Sequence, residues 1–393
     1  MKVGVIVDND LDSDVRVLKE IKMLRSLGYD VSVLCFDLGR KSEVEYDFEV
    51  VRIKISQLKK NILVFLNLLL PFYRNLWKKA TYKFLKSRNI DIVHTHDLYM
   101  AKPVKGGIEK TGKTIPLILD LHENYPVAYT SYSWVNKPIR RWVTFPEKWK
   151  ELEAEYLEQA DGLIVLSDYF GEDLRSRYPF LKNRKLMTLP NIPDLSVFKE
   201  PEGISRSDKM TFMYFGSVGV RRGILDVMDA FIDIQKRRDD LKLLIIGPLD
   251  KGDKVVFNRK MNTIKSDMIE YISWVPLENM DSYMDISDVG LSPLHINPQH
   301  ESGVANKIYQ YMYGELCLLV SNCKPQQRIV EQNGIGLVFD IRSHDSLVSA
   351  LEYLADNSDQ VKSMGENANK VLYEKYSLTP YEKKLDEFYK SLI

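Results

Sequence analysis

The chain has 393 residues, 45% of them hydrophobic and 28% charged. That length is more than one hydrophobic core usually organises and suits two or three domains, and the composition is that of a soluble globular protein rather than a disordered or collagenous one. The 55 basic residues balance 55 acidic ones, so no global field directs the chain toward nucleic acid.

The N-terminus, MKVGVIVDND, turns acidic too early for a signal peptide. The longest apolar run, residues 62–70, is far short of the roughly 20 residues that a membrane-spanning helix needs. Cys35, Cys317 and Cys323 are an odd number without metal-site spacing, and Cys35 is expected in the core. Together these features predict a reducing, cytoplasmic location.

VGVIV (3–7) reads as the first buried strand. VRVLKEIKMLRSLGYD follows with helical spacing, and Gly28 is its expected stop. VSVLCF (31–36), VVRIKI (50–55), DIVHT (91–95), PLILDL (116–121), GLIVLS (162–167) and KLMTLP (185–190) continue the series. Several are continuous apolar runs, as in parallel strands buried on both faces. Two prolines and an asparagine in LPNIPD (189–194) interrupt the pattern. It restarts with TFMYFG (211–216), KLLIIG (242–247), MIEYIS (268–273), DVGLSP (288–293), LCLLVS (316–321) and GLVF (336–339). A terminal amphipathic helix, LTPYEKKLDEFYKSLI, ends the chain. Two β/α series predict an α/β protein with two doubly wound, Rossmann-like domains facing a cleft, 1–190 and 191–375.

Ligands in such sheets bind outside the carboxyl ends of the strands, so the residues after strands are the candidates. After the first strand comes DNDLDSD, with no glycine. That excludes a dinucleotide fingerprint there and favours acids that cap the next helix. His94-Thr95-His96-Asp97 and Asp120-Leu121-His122-Glu123-Asn124 follow two later strands. Zinc has neither an HExxH motif nor a cysteine partner to support it, so a sugar or phosphate contact is expected and no metal. In the second half, Gly216-Ser217-Val218-Gly219-Val220-Arg221-Arg222-Gly223 follows a strand. ESGVANKIYQYMYGE (301–315) places a glycine turn and a lysine at a helix start. Both have the chemistry of an anion site, with backbone N–H groups and a cation at one place. Two of them favour a diphosphate held between.

These stretches resemble the retaining, nucleotide-sugar-dependent glycosyltransferases of family 4, which have the GT-B fold. DSDVRVLKEIKMLRSLGYDVSVL is similar to the family's opening helix and second strand. DIVHTHD and LDLHENYP are similar to its paired strand ends, GSVGVRRGI to its diphosphate loop, and SGVANKIYQYMYGELCLLVS to its donor helix. The resemblance implies transfer of a sugar from a nucleoside diphosphate to a hydroxyl, with no cofactor and no metal, and a terminal helix, 376–393, that packs back on the first domain. It implies that Arg222 and Lys307 neutralise the leaving diphosphate, that Gly216, Ser217, Ser302, Gly303 and Val304 supply close contacts, and that Gln310 meets the ribose. Backbone around Trp274 and Val275 would meet the base, and His122 the reacting sugar. The acceptor side would use Asp10, Arg16, His96, Asp97 and Glu123. Two glutamates usual in the family are replaced by Ser302 and Gln310, with Glu301 one position off. A nucleotide-sugar epimerase using Glu123 and Glu301, or a non-catalytic lipid- or partner-binding subunit, stays open.

Residues 51–90 hold ten Lys or Arg and no acid. In NILVFLNLLLPFYRNLWKKATYKFLKSR, Pro71 fits a helix start. Phe72, Leu76, Ala80 and Phe84 form a predicted apolar stripe beside Arg74, Lys78, Lys79 and Lys86. This pattern predicts contact with an anionic membrane surface and hence a lipid-linked or glycolipid acceptor. The alternative is a core helix over 62–70 with solvated lysines.

Overall fold

The computed structural model describes residues 1–39, 44–131, 144, 145, 147–199 and 203–393. The chain divides into two compact units, Met1–Pro190 with Leu378–Ile393, and Asn191–Ser377.

The first unit is built on seven parallel strands in the order β3-β2-β1-β4-β5-β6-β7. They are β1 Lys2–Asp10, β2 Asp30–Asp37, β3 Glu49–Lys54, β4 Ile92–His96, β5 Leu117–Asp120, β6 Gly162–Val165 and β7 Lys185–Thr188. The central strands β4, β5 and β6 are buried at every position, which is why they read as unbroken apolar runs. Strand order reverses between β1 and β4, and such a switch point opens a crevice at the strand ends. β1 runs to Asp10, so Asp8 and Asp10 belong to the strand rather than to a loop after it. The expected capping is carried by Asp10, which accepts from the Asp12 amide, and by Asp14, which accepts from the Val17 amide at the start of the helix Val15–Ser26. Gly28, at φ 81°, follows that helix as expected.

The terminal helix Leu378–Lys390 belongs to this unit. Tyr381, Leu385, Phe388 and Tyr389 are buried. A Cβ on Gly162 would lie 2.8 Å from both Phe388 and Leu392, so the glycine in β6 admits the helix. Ile393, at the end of the chain, is exposed.

The alternative reading of residues 62–70 is corrected. Residues 62–70 are not a core helix: the helix Gln57–Phe65 has no buried residue, and a turn precedes Pro71. In the helix Phe72–Lys86 the buried face is Tyr73, Trp77, Thr81, Phe84 and Leu85. The two large aromatics beside the predicted stripe, Tyr73 and Trp77, take the core, together with Phe84 of the stripe itself. Phe72 is left 59% exposed, and Leu76 and Ala80 are half-buried.

The second unit is a six-stranded parallel sheet in the order β10-β9-β8-β11-β12-β13. Its strands are β8 Met210–Phe215, β9 Leu241–Ile246, β10 Ile269–Ile272, β11 Val289–Ser292, β12 Cys317–Ser321 and β13 Gly336–Phe339. The core includes Phe212, Leu243, Leu291 and Leu319 from the sheet and Val227, Phe231 and Leu351 from helices. The reversal falls between β8 and β11. Cys35, Cys317 and Cys323 are buried free thiols.

Candidate functional site

In the second unit, the ends of β8 and β11 carry the two predicted anion elements. Gly216 ends the strand at φ 126°, a conformation that L side chains rarely adopt. A Cβ on it would also lie 3.4 Å from Lys307 Nζ. Gly223, at φ 72°, caps the helix Ile224–Ile234, and a Cβ there would overlap the Pro293 carbonyl oxygen at 1.6 Å. The loop after β11 therefore passes directly against the glycine-rich turn 216–223.

Lys307 lies in the first turn of the helix Asn306–Tyr313, which has no side-chain cap at its start. Its ammonium sits 3.6 Å over the Tyr214 ring centroid. Nζ is shielded from solvent and has no hydrogen-bond partner among the described residues. Burial, then the nearby Arg222 guanidinium, push the amine well below its usual range. Tyr214 donates to the Ser217 carbonyl at 2.6 Å, and the Tyr311 hydroxyl accepts from the Phe215 amide at 2.8 Å. These two bonds hold the loop and the helix at the strand end. Arg222, on the turn Val220–Arg222, points into solvent.

The other predicted donor residues are distributed around this point. Ser302 is buried, with its hydroxyl turned to the Gln299 carbonyl at 2.7 Å. Gln310 is buried, and Glu301, Gly303 and Val304 are half-buried in the same loop. Trp274 is 69% exposed and lines, with Val275 and Asn279, a recess of about 210 Å³ beyond β10. His295 and His300 were missed by sequence reasoning. His295 Nε2 meets Asp226 at 2.7 Å, and His300 Nδ1 donates to the His295 carbonyl at 2.8 Å. Their signal was available, since HINPQH lies directly after a strand.

In the first unit, a cavity of about 880 Å³ opens at the ends of β1 and β4. Asp8, Asp97 and Glu123 line it with Lys60, Tyr99 and Tyr125, and the helix Gln57–Phe65 forms a wall with Leu58, Ile62 and Phe65. Asp8 accepts from Tyr99 at 2.9 Å and from the Tyr73 hydroxyl. Asp97 has φ 69°. Burial, then its neighbours Asp8 and Glu123, raise its carboxyl well above the usual range. Asp97 and Glu123, expected on the acceptor side, both line this cavity. Asp10 does not: its carboxylate meets Arg52 at 3.2 Å and caps a turn. Asp8, two positions earlier on the strand, takes the pocket.

Arg16, His96 and His122 form a separate buried cluster. Arg16 reaches Asp120 with both carboxylate oxygens at 3.0 and 3.1 Å, and Glu20 lies 3.0 Å from its Nε. His122 Nε2 is 2.9 Å from His96 Nδ1. Burial, then Arg16, bring the His122 pKa down to about 3, so its ring is neutral. His96 is buried behind it and does not line the cavity. Oxygens and nitrogens of Glu20, His94, His96 and Asp120 lie within 4.8 Å of one another. The Arg16 guanidinium already supplies the cation among these carboxylates. Glu20 and Tyr389 were not predicted; Glu20 follows Arg16 at helical spacing, and His94, which stood in the predicted strand-end cluster, lies on the same face of β4 as His96.

Two family models match consecutive stretches of the chain. Residues 14–197 match Glycosyltransferase Family 4, and residues 198–371 match Glycosyl transferases group 1. The chain belongs to the family 4, group 1 glycosyltransferases. It is similar to an alpha-D-kanosaminyltransferase of Streptomyces kanamyceticus, at 19% identity over 71% of each chain. Among solved structures, sucrose-phosphate synthase from Thermosynechococcus elongatus superposes with a TM-score of 0.71 and 16% identity, covering 100% of this chain and 99% of that one. The Anabaena protein HepE in complex with UDP gives 0.68 and 11%, covering 100% of both. The two sheets and these neighbours make the architecture GT-B. This glycosyltransferase has no helix, among its described residues, long and apolar enough to cross a membrane.

Proposed function

We propose that the chain transfers a sugar, with retention at the anomeric carbon, from a nucleoside diphosphate to a hydroxyl of a lipid-linked or membrane-glycolipid acceptor. The observation that carries the donor half is Lys307: a shielded cation without a hydrogen-bond partner, aimed at a glycine with φ 126°. Leaving such a group unpaired costs stability unless a ligand supplies the anion. HepE, of the same fold, binds UDP.

Lys307 and Arg222 would take the charge that grows on the diphosphate as the glycosidic bond breaks, in place of a metal ion. Interactions that strengthen in the transition state raise the rate rather than the affinity alone. Gly216 and Gly303 let the backbone approach, Gln310 meets the ribose, and Trp274 and Val275 edge the recess for the base. In the first unit, the cavity with Asp97 and Glu123 takes the acceptor, and His122 contacts a hydroxyl at the reacting sugar.

Support for the lipid acceptor comes from the wall of that cavity. Leu58 and Ile62 line it and are 70% and 49% exposed. Leu69, Leu70 and Phe72 are exposed close by in sequence, with exposed Lys78, Lys79 and Lys83 on the next helix. Exposed apolar groups beside cations fit the interface of an anionic bilayer.

A screen of nucleoside diphosphate sugars by thermal shift, followed by mass analysis with acceptor extracts, tests the proposal. The expected result is stabilisation by one sugar nucleotide and a glycosylated lipid product. An isomerised sugar nucleotide formed from donor alone would overturn it in favour of an epimerase.

A further inference from the structure

Behind His122 lies a layer of buried polar groups to which the transfer reaction assigns no role. Tyr389, on the terminal helix, brings its hydroxyl to 2.7 Å from His94 Nδ1. The His94 and His96 rings stack at 4.4 Å with 31° between planes, and His96 Nδ1 meets His122 Nε2 at 2.9 Å. Asp120 stands beside both outer rings, with Oδ2 3.7 Å from His94 Nε2 and 3.9 Å from His122 Nε2.

Elementary electrostatics assigns the protons. Arg16 holds Asp120 against the opposing effect of burial, well below the usual range, so it is a carboxylate. A carboxylate favours N–H groups pointing at it. A proton on His94 Nε2 leaves Nδ1 as an acceptor, which suits the Tyr389 hydroxyl as donor. Burial, then Glu20 and Asp120, raise the Tyr389 phenol, so it stays protonated. A proton on His122 Nε2 faces Asp120 and donates to His96 Nδ1; Glu20, 3.8 Å from that Nδ1, does not compete as a carboxylate, because burial, then Asp120, raise its carboxyl well above the usual range. His122 Nδ1 then carries a lone pair.

We propose that Tyr389 is a positioning residue that fixes the tautomer of His122 through His94, Asp120 and His96, making His122 Nδ1 an acceptor for a substrate hydroxyl. The inference deepens the glycosyltransferase reading, on which its last clause rests. It also gives the terminal helix a task beyond packing. The charged groups facing the triad are Asp120 from β5 and Arg16, Glu20 and Lys19 from the helix Val15–Ser26. Which ring nitrogen carries a proton is set by the hydrogen bond that the other nitrogen makes.

The test is two-bond proton–nitrogen correlation on the full chain labelled with ¹⁵N-histidine, which has six histidines. His122 is expected as the Nε2–H tautomer across neutral and mildly acidic pH. Tyr389→Phe keeps the buried ring and is expected to shift the His94 and His122 resonances. In turnover it should lower kcat about three- to tenfold, the size of one neutral hydrogen bond, with the donor KM unchanged. His96→Asn, whose Oδ1 can stand in for Nδ1, should retain more activity than His96→Leu. An Nδ1–H tautomer at His122, or Tyr389→Phe spectra identical to wild type, overturns the inference. The spectra need no substrate, so they decide even if no sugar nucleotide supports turnover.

Discussion

Lys307 Nζ lies 3.6 Å above the Tyr214 ring and has no hydrogen-bond partner among the described residues. A cation over a ring recovers part of its lost hydration, but less than a carboxylate would. The arrangement leaves the ammonium available to an incoming anion.

Removing this ammonium should separate stability from function. Lys307→Met is expected to leave the ligand-free Tm unchanged or to raise it by about 2–4 °C, the shift of roughly 1 kcal/mol in a unit of this size. Nucleoside diphosphate should stabilise the variant far less than wild type. Calorimetry with and without ligand reads both, and a large fall in the ligand-free Tm would show that Lys307 is part of the fold.

Turnover should respond to both cations. Lys307→Ala and Arg222→Ala should each lower kcat/KM about ten- to a hundredfold, the loss of one charge-assisted hydrogen bond. Part of the loss should fall on kcat, because the charge grows in the transition state. Both act on one diphosphate, so the double variant should be less than additive. Full additivity in steady-state kinetics would place the two residues on different groups.

Binding should take up a proton. In the empty site the Lys307 pKa is depressed, first by burial and then by Arg222; an adjacent diphosphate raises it again. Affinity should therefore weaken as pH rises from the depressed value toward the ordinary lysine range. Isothermal titration in buffers of different ionisation enthalpy should show the uptake, and it should vanish in Lys307→Arg. Ligand-free stability runs the other way. A Lys with a lowered folded-state pKa makes the protein gain stability as pH rises through the same window.

Arg16 should be a stability residue. Asp120 and Glu20 are both buried against it. Arg16→Met leaves them without their cation and should destabilise by about 3–5 kcal/mol at neutral pH. Asp120 has a depressed folded-state pKa in the wild type. Its contribution is present above the unfolded carboxylate pKa and is lost as pH falls below it. The gap between wild type and variant should therefore narrow in acid. Urea titrations over a pH series give the answer, and a constant gap would remove Asp120 from the account.

Membrane contact should depend on Lys78, Lys79 and Lys83. Lys79 and Lys83 rim an apolar groove of about 650 Å³ with Phe72, Leu76 and Ala80, and each exposed cation is worth about 1 kcal/mol near anionic lipid. Arg74, which sequence reasoning placed with them, is drawn toward Tyr156 instead. Flotation with anionic vesicles is expected for wild type and lost when the three lysines become Glu. Binding to neutral vesicles of equal strength would argue against an electrostatic surface.

The sequence by itself determined what depends on local chemistry. Unbroken apolar runs such as those of β4 and β6 announced parallel strands buried on both faces. Gly216 and Gly223 announced turns of close approach after a strand, because backbone approach and positive φ restrict residue type within a few positions. Tertiary structure alone decided which of several nearby, chemically equal groups is used. Asp8 and not Asp10 enters the first unit's cavity, because a tyrosine pair meets one and Arg52 meets the other. Tyr73 and Trp77, not Phe72 and Leu76, take the core side of their helix. The Tyr389–His94 bond joins residues 295 positions apart. No local pattern encodes such a pair, since it exists only once the terminal helix has packed against Gly162 and carried the phenol into the sheet's carboxyl edge.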